Sequence, residues 1–433
     1  MAKISLWRGI LVNIRIEKIQ AREVLGGSGR PTLDVEILLS NGVLTSASVP
    51  SGTSRGGHEA FELYDGDKRY GGYGVRQAVN NVNTLIADRL RGMSPMDLSA
   101  IDQAMLELDG TPDKHRLGGN AILPVSVAAA KGAALTAEIP LYRYLGGLAA
   151  TRLPMPIATV IAGGEYSPSA LPFEDFLYIV EGYECFADAL EALAATRKQL
   201  EINLTKRFGI VADVGGALAP PIESVEQAFD IMLEAVSQTG NEGRMGLALD
   251  VAANELYDKK NDTYNLGTRQ VGSEELTNYY LELVDSYPLR FIEDPFREDD
   301  YAAHSRLTKR LGEKAVSCSV VGDDLFATNP VRIAKGIEEK AATELLLKIN
   351  QIGTVTEALD AGNVAREGNL DITVSLRSND TPDSFISDLA VALGAIRLKA
   401  GSPVRAERNA KYNRLLAIES DLGANARFAG GLR

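Results

Sequence analysis

The sequence predicts an α/β protein, with an α+β domain over residues 1–140 and a closed (β/α) barrel over residues 141–433. Strand-like and helical segments are mixed in the first part, whereas from about Pro154 onward short apolar runs alternate with amphipathic helices. The chain has 433 residues, of which 45% are hydrophobic and 24% charged. This length and globular composition suit about two or three domains with buried cores.

In the first domain, the helical prediction depends on apolar residues three or four positions apart, such as Val75, Val79 and Val82. The predicted elements are strands at residues 10–22 and 31–40, a turn at 26–29, a Ser/Gly-rich loop at 45–57, and helices at 73–90 and 120–137. This mixture favours an α+β domain.

In the second domain, the clearest helix is predicted at residues 224–237, with Val225, Phe229 and Val236 on one face. Six apolar runs each end at an ionisable residue. These residues are Asp250, Glu293, Asp323, Lys348, Arg377 and Lys399. One charge after a strand is usually a solvated loop residue, but six in series are not easily explained in that way. Because the carboxyl ends of barrel strands meet at one mouth, we expect an active site there.

Composition excludes several other kinds of protein. The formal net charge of −13 disfavours nucleic-acid and anionic membrane partners. Two cysteines, Cys185 and Cys318, are too few for a disulfide framework or a cysteine-rich zinc site. Of the three histidines, we expect His115 and His304 at the surface. No targeting or membrane segment is evident, so the sequence predicts a cytoplasmic protein.

The charges at the strand ends suggest metal-assisted proton abstraction. Asp250, Glu293 and Asp323 follow successive strands, and carboxylates without histidine or cysteine suit Mg²⁺. Positive charge near Lys348 or Lys399 would lower the lysine pKa, so we expect one of them to be neutral and to act as a base. The other would stay charged and stabilise an anion.

Arg377 and Ser378 offer a guanidinium fork and a hydroxyl for a phosphate or carboxylate. With the metal and the lysines, they fit removal of a proton next to a carboxylate, followed by stabilisation of a dianionic enolate.

Several long motifs resemble those of enolase, across essentially the whole chain. They are residues 48–54, 120–123, 292–296, 322–325, 347–353 and 407–413. The resemblance implies an N-terminal α+β domain that caps an enolase-type modified (β/α)8 barrel and carries a mobile Ser/Gly loop. It also implies a hydro-lyase with two Mg²⁺ ions per site, a phosphate-bearing carboxylate substrate, and a homodimer or larger homo-oligomer.

The resemblance also implies a role for each matching residue. It gives Asp250, Glu293 and Asp323 as ligands of the first metal, Ser54 as a ligand of the second, Lys348 as the base, Lys399 as the group that neutralises the substrate anion, and Arg377 with Ser378 as the phosphate-binding pair.

The departures from the enolase pattern lie mainly on the side of the site that would help to expel the hydroxyl group of the substrate. Val214 stands where enolases have the glutamate of Gly-Asp-Glu-Gly-Gly, and Leu376 stands where they have the histidine of Ser-His-Arg-Ser. A histidine is replaced by Tyr166, and a glutamate by the shorter Asp175. In the loop that would carry a metal ligand, Arg55 adds a cation, which suggests an extra anion on the substrate.

Loss of a general acid costs about 10²–10⁴-fold in rate, so we expect a replacement. The candidates are Tyr166, Asp175, Glu174 and Glu165, and Asp175 is favoured because its position matches a family site residue.

Three functions remain open at this point. The first is dehydration of a 2-phosphoglycerate analogue that carries a carboxyl group on phosphorus, as in carboxyphosphonoenolpyruvate synthase, an enolase relative of phosphinothricin-type phosphonate biosynthesis. The second is the glycolytic enolase reaction with a substitute acid. The third is a non-catalytic homologue that acts as a binding or scaffold protein.

Overall fold

The computed structural model describes residues 14–52, 56–165, 167–267, 269–314 and 316–431. The first residues of the strand expected at 10–22 therefore lie outside the described residues. Among the described residues, no single helix is long and apolar enough to cross a membrane, although the bent pair Gly119–Thr136 and Leu141–Ala149 meets that test jointly by length and composition.

The N-terminal domain begins with an antiparallel three-stranded sheet, β1 (Ile16–Leu25), β2 (Pro31–Leu39) and β3 (Leu44–Ser48). The expectation of a loop at 45–57 was therefore wrong at its start. In β3 exposed and buried residues alternate, with Thr45 and Ala47 buried. Short polar side chains on the exposed face conceal this alternation in the sequence.

Helices cover one face of this sheet. The helical segments are Arg69–Gly72, Arg76–Asn81, Val82–Ile86, Ala87–Leu90, Leu98–Asp109, Gly119–Thr136, Leu141–Gly146 and Gly147–Ala149. Helix Gly119–Thr136 is almost entirely buried and packs against β2 and β3. Gly132 allows this close approach, because a Cβ there would lie 3.1 Å from the Leu39 side chain. The helices expected at 73–90 and 120–137 are confirmed, the first with a π turn at Val82–Ile86.

The rest of the chain forms a closed eight-stranded barrel with additional short strands. The strands are β4 (Arg152–Leu153), β5 (Met155–Ala162), β6 (Asp175–Val180), β7 (Ala212–Val214), β8 (Ala217–Ala219), β9 (Met245–Asp250), β10 (Tyr257–Asp258), β11 (Thr263–Asn265), β12 (Gln270–Val271), β13 (Leu289–Glu293), β14 (Ser319–Gly322), β15 (Glu344–Leu347), β16 (Asp371–Ser375), β17 (Arg397–Lys399) and β18 (Arg427–Phe428).

The ring follows the order β5-β6-β9-β13-β14-β15-β16-β17 and closes where β17 pairs with β5 in parallel register. One strand breaks the simple alternating pattern, because β6 runs antiparallel to both β5 and β9. A hairpin joins β5 to β6 without a crossover helix, so the start of β6 lies at the mouth where the parallel strands end.

Helices surround the barrel and bury their apolar faces against it. They are Phe186–Phe208, Val225–Gln238, Ala253–Leu256, Ser273–Ser286, Tyr301–Glu313, Pro330–Glu338, Ile349–Ile352, Val355–Glu367, Phe385–Leu393, Ala406–Leu422 and Gly423–Asn425. The helix expected at 224–237 is confirmed, and Ser224 caps it by accepting a hydrogen bond from the Gln227 N–H. Inside the barrel, Ile157, Leu177, Phe291 and Leu346 belong to a separate apolar cluster.

His304 corrects the expectation of a surface histidine. It is fully buried in helix Tyr301–Glu313, where Nδ1 lies 2.9 Å from the Asp300 carbonyl and the ring packs edge-on against Phe296. Burial lowers the pKa of His304 to about 4. The neutral ring is a core residue of this helix.

Candidate active site at the mouth of the barrel

The fold brings the sequence-predicted residues together at one end of the barrel. Asp250, Glu293 and Lys399 are the last residues of β9, β13 and β17, and Asp323 and Lys348 directly follow β14 and β15. A cavity of about 430 Å³ opens at this mouth. Its lining includes Glu174, Asp175, Asp250, Lys348, Arg377, Ser378 and Lys399.

Lys399 is buried between carboxylates from three strands. Its Nζ lies 2.7 Å from Asp250 Oδ2 and 2.7 Å from Glu293 Oε2, and 3.9 Å from Asp175 Oδ2. Burial alone would lower the pKa of Lys399, but the attraction of Asp250 and Glu293 outweighs it and raises the pKa well above its usual value. Lys399 is therefore a fixed cation.

Lys348 forms an ion pair with Asp323 Oδ2, while Gln351 donates to the other carboxylate oxygen of Asp323 at 2.7 Å. Burial lowers the pKa of Lys348, but Asp323 more than offsets this and the pKa is raised. The ion pair with Asp323 favours the charged form of Lys348. A neutral lysine that acts as the base stays a prediction, because it depends on the positive charge of a bound cation.

Arg377 is buried and its Nη1 lies 2.9 Å from both carboxylate oxygens of Glu59, which belongs to the N-terminal domain. Burial and Glu59 act in opposite directions on the Arg377 pKa, and the ion pair prevails and raises it. Ser378 lies beside Arg377 on the cavity wall. The pair expected to bind phosphate is therefore held in place from the other domain.

The candidate proton donors for the leaving hydroxyl group lie at different positions in the site. Asp175 opens β6 at the mouth, pairs in register with Asp250, and accepts a 2.9 Å hydrogen bond from Thr159. Glu174 lines the same cavity, and burial together with Asp250 raises its pKa well above the usual value.

Glu165 is exposed and does not line the cavity at the mouth, so its role as a proton donor stays a prediction. It lies in the turn after β5, and this turn directs the residue to solvent. The expected site residues Ser54, Arg55 and Tyr166 lie outside the described residues.

The apolar substitutions seen in the sequence lie in the site itself. Val214 and Leu376 both line the cavity, as do Ala162 and Ala217. One part of the wall is therefore apolar and offers no proton to a leaving group.

The residues fit a divalent cation. The Oε1 atom of Glu293 is buried and has no hydrogen-bond partner among the residues that the structure describes, although the other carboxylate oxygen binds Lys399. A second, smaller cavity of about 40 Å³ lies among carboxylates. Its acidic lining residues are Glu59, Glu174, Asp250, Glu255, Asp294, Asp323 and Asp324. Hard carboxylate oxygens in this number suit Mg²⁺.

The closest carboxylate group is not the one expected from the sequence. Among the described residues, three acids have carboxylate oxygens within 4.8 Å of one another, the buried Asp294 and Asp323 and the half-buried Asp324. Asp294 accepts backbone N–H bonds of 2.9 Å from Asp323 and 2.7 Å from Asp324, so it orders the loop after β14. The expected partners Asp250 and Glu293 are instead bridged by Lys399.

Sequence reasoning missed Asp294, Gln351 and Glu59. Asp294 and Gln351 lie in motifs that contain other site residues. Asp294 directly follows Glu293 and Gln351 is close to Lys348, so these positions could have identified them as site residues. Glu59 is 318 positions from Arg377, and only the docking of the two domains brings them together.

These features define a class, an enzyme with an active site at the carboxyl ends of barrel strands beneath a smaller domain. The profile described as "Enolase, N-terminal domain" matches residues 16–145, and that described as "Enolase, C-terminal TIM barrel domain" matches residues 150–432.

Relatives that match over nearly the whole of both chains indicate the same family. The chain is 47% identical to "Enolase" of Methanopyrus kandleri, over 96% of this chain and 97% of that protein. It is 44% identical to "Enolase" of Methanothrix thermoacetophila, over 98% and 100%, and 44% identical to "Enolase B" of Dictyostelium discoideum, over 94% and 95%. The chain belongs to the enolase family, a family of carbon–oxygen lyases.

Proposed function

We propose that the protein dehydrates 2-phosphoglycerate or a close analogue to an enolpyruvate product in a Mg²⁺-dependent reaction. The observation that carries this proposal is the pair of buried lysines, Lys348 and Lys399, each held by carboxylates at the mouth of the barrel. The enolase relatives favour 2-phosphoglycerate as the substrate.

In this proposal Lys348, in its neutral form, takes the proton next to the substrate carboxylate, and Lys399 stays charged beside the anion that forms. A cation bound by Asp323 would favour the neutral form of Lys348. The burial of the two lysines strengthens both interactions, because charges interact more strongly in a buried environment than in water. Arg377 and Ser378 hold the phosphate, and the Glu59 ion pair keeps the Arg377 fork in one orientation.

Asp250, Glu293 and Asp323 would hold one Mg²⁺, with Ser54 proposed for a second. A bound Mg²⁺ would supply positive charge that stabilises the enolate, and it would compete with the lysines for the carboxylates. The unpartnered Glu293 oxygen and the carboxylate-lined smaller cavity support this assignment.

For the departing hydroxyl, we propose Asp175 or Glu174 as the proton donor. Both line the cavity, and the raised pKa of Glu174 keeps a proton on that group at higher pH than usual. Val214 carries no proton to donate. Tyr166 stays a prediction.

A second candidate substrate is the analogue with a carboxyl group on phosphorus. The observation that favours it is the apolar wall formed by Val214 and Leu376, which changes the shape and polarity of the cavity. The relatives favour the enolase reaction over this one, and phosphonate biosynthesis has no support from them.

The test measures formation of the enol product by its absorbance, with Mg²⁺ and each substrate in turn. We expect Mg²⁺-dependent turnover of 2-phosphoglycerate, and a loss of about 10²–10⁴-fold in kcat for Lys348→Ala because a general base is removed. Lys309→Ala is the matched control, since Lys309 is exposed.

Two results would count against the proposal. Turnover that survives Lys348→Ala would remove that residue as the base. Mg²⁺-dependent binding of both substrates without any product would support the non-catalytic alternative. A cytoplasmic location and a homodimer or larger assembly stay predictions.

A further inference from the structure

Thr159 lies where the apolar interior of the barrel meets the cavity. It is on β5, whose residues Met155 and Ile157 belong to the apolar cluster inside the barrel. Because side chains two positions apart share one face of a strand, Thr159 continues this interior face toward the mouth. There it is half-buried and lines the cavity. The proposed reaction assigns no role to this hydroxyl group.

The neighbouring strand carries Asp175 to the same face. In the pairing of β5 with β6, Thr159 lies opposite Leu177 and Ala162 lies opposite Asp175. Since Leu177 and Asp175 share one face of β6, their partners on β5 share a face as well, although they are three positions apart. A register shift between Thr159 and Ile161 allows this, because β5 has an extra residue at that point. The bulge therefore keeps Thr159 on the side of the sheet that faces Asp175.

Thr159 holds one oxygen of the Asp175 carboxyl group. Its hydroxyl donates to Asp175 Oδ2 at 2.9 Å, and Lys399 Nζ lies 3.9 Å from the same oxygen. Among the described residues, no group forms a hydrogen bond with the other oxygen, Oδ1. The side chain of Asp175 is 20% exposed and lines the cavity. A proton on this carboxyl group is favoured on Oδ1, because two donors already face Oδ2.

Glu174 has no comparable contact. It directly precedes β6 and lines the same cavity, but in the described part of the chain no hydrogen bond holds its carboxyl group. Its longer side chain also has more rotamer freedom to lose than that of Asp175. Of the two candidate proton donors, Asp175 is therefore the one with a fixed orientation.

We propose that Thr159 is a positioning residue, which orients the protonated carboxyl group of Asp175 so that Oδ1 gives its proton to the hydroxyl group that leaves the substrate. The departing oxygen takes this proton, keeps the electron pair of the broken carbon–oxygen bond and leaves as water. The electron pair of the enolate forms the carbon–carbon double bond, and Asp175 remains as a carboxylate beside Lys399. Lys348 holds the proton taken from carbon, so proton exchange with solvent restores both groups. This inference rests on the proposed function, because it concerns the second step of the same reaction.

The test measures the two steps of the reaction separately, in the presence of Mg²⁺ and with each of the two candidate substrates. Removal of the proton from carbon is measured by NMR, as exchange of that proton with deuterium from the solvent. Elimination is measured by absorbance, as formation of the enol product. Exchange depends on Lys348, whereas product formation depends on the proton donor as well.

Thr159→Val keeps nearly the same shape and removes the hydroxyl. We expect product formation to fall by about tenfold to a hundredfold, because a displaced donor is poorly aligned with the departing oxygen, and exchange to fall by less than about threefold. Thr159→Ala, which removes the hydroxyl without adding an apolar methyl group, should raise the ratio of exchange to product in the same way. Thr159→Ser, which keeps the hydroxyl, should retain most of the product formation.

Thr205→Val is the matched control, since Thr205 is exposed on helix Phe186–Phe208. It should change neither rate. Thermal unfolding of each variant reports whether it folds.

A second comparison asks whether Thr159 acts through Asp175. Asp175→Asn should lower product formation by about 10²–10⁴-fold and exchange by much less, because the proton donor is lost. In that background, Thr159→Val should lower product formation by less than about threefold more, because the group that it positions is already absent.

Three results would overturn the inference. They are equal losses of exchange and product in Thr159→Val, losses that multiply in the double variant, and unchanged product formation in Asp175→Asn. Failure of the proposed function is seen separately, as absence of both exchange and product with the unsubstituted enzyme, and the inference would then fail with it.

Discussion

The ring of His304 shows how one buried titratable group links stability to pH. The ring is buried with Nδ1 2.9 Å from the Asp300 carbonyl, and Nε2 has no hydrogen-bond partner in the described part of the chain. The pKa falls from 6.5 to about 4 on folding. Between these values the unfolded chain binds more protons at this position, so the folded state loses stability as the pH falls.

Replacing His304 by phenylalanine should remove this pH dependence. We expect the free energy of unfolding of the unsubstituted protein to decrease by about 3 kcal/mol between pH 7 and pH 4 from this group alone, and the variant to lack that part. Denaturant unfolding at several pH values measures it. An identical acid-side decrease in the variant would show that other groups dominate.

For single residues, the sequence predicted the catalytic candidates but not all of the charged residues that pair with them. Charges at strand ends identify Asp250 and Lys399 because the barrel brings those ends together. The burial of His304 also had a signal, since it shares a helical face with Leu307 and Leu311. The ion pair of Arg377 with Glu59 had none, because it depends on how two domains dock.

Among the elements, the turn between β1 and β2 connects local geometry to the site. Gly26 and Gly27 have no room for a side chain, since a Cβ would lie 2.3 Å from Asn379 in the first case and 2.8 Å from Glu407 in the second. The turn holds Ser28, which lines the cavity, against Asn379 through hydrogen bonds, so the glycine positions control the distance between the turn and the cavity.

Gly26→Ala should therefore push the turn away from the barrel. We expect a loss of about 1–3 kcal/mol in the free energy of unfolding and a rise in KM, because overpacking displaces the backbone. Gly272→Ala is the matched control, as a Cβ there would have no atom of the described residues within 4 Å. If both variants behave alike in denaturant unfolding and in KM, the contact with Asn379 contributes little to stability or to substrate binding.

The sequence predicted an element correctly where the signals were local and strong. It did not predict the orientation of a strand. The helix at Val225–Gln238 has a polar cap and a continuous apolar face, and both signals are local. The orientation of β6 has no local signal, because apolar strand composition is the same in either direction. Only its pairing with β5 and β9 defines it as antiparallel.

The whole molecule depends on contacts between the N-terminal domain and the barrel. Lys114 is 3% exposed and its Nζ lies 2.9 Å from Glu357 Oε1, across this boundary. The same boundary carries the paired backbone of Ser51 and Asn379. Docking and site assembly are therefore coupled.

A double-mutant cycle with Lys114→Met and Glu357→Gln should give a coupling of about 0.5–3 kcal/mol in the free energy of unfolding, because the pair is in direct contact and mostly buried. Urea unfolding of the four proteins measures it. Additive effects within about 0.3 kcal/mol would mean that the pair contributes no interaction of its own.

Ring closure between β17 and β5 has a consequence for how the molecule is made. Arg397 pairs with Met155, so the seam joins chain segments that leave the ribosome far apart in time. The β5–β6 hairpin can form early from neighbouring residues, but the last parallel edge stays open until nearly all of the polypeptide has emerged. During synthesis this edge is exposed to mispairing, and translation stopped before β17 leaves the ring without Lys399.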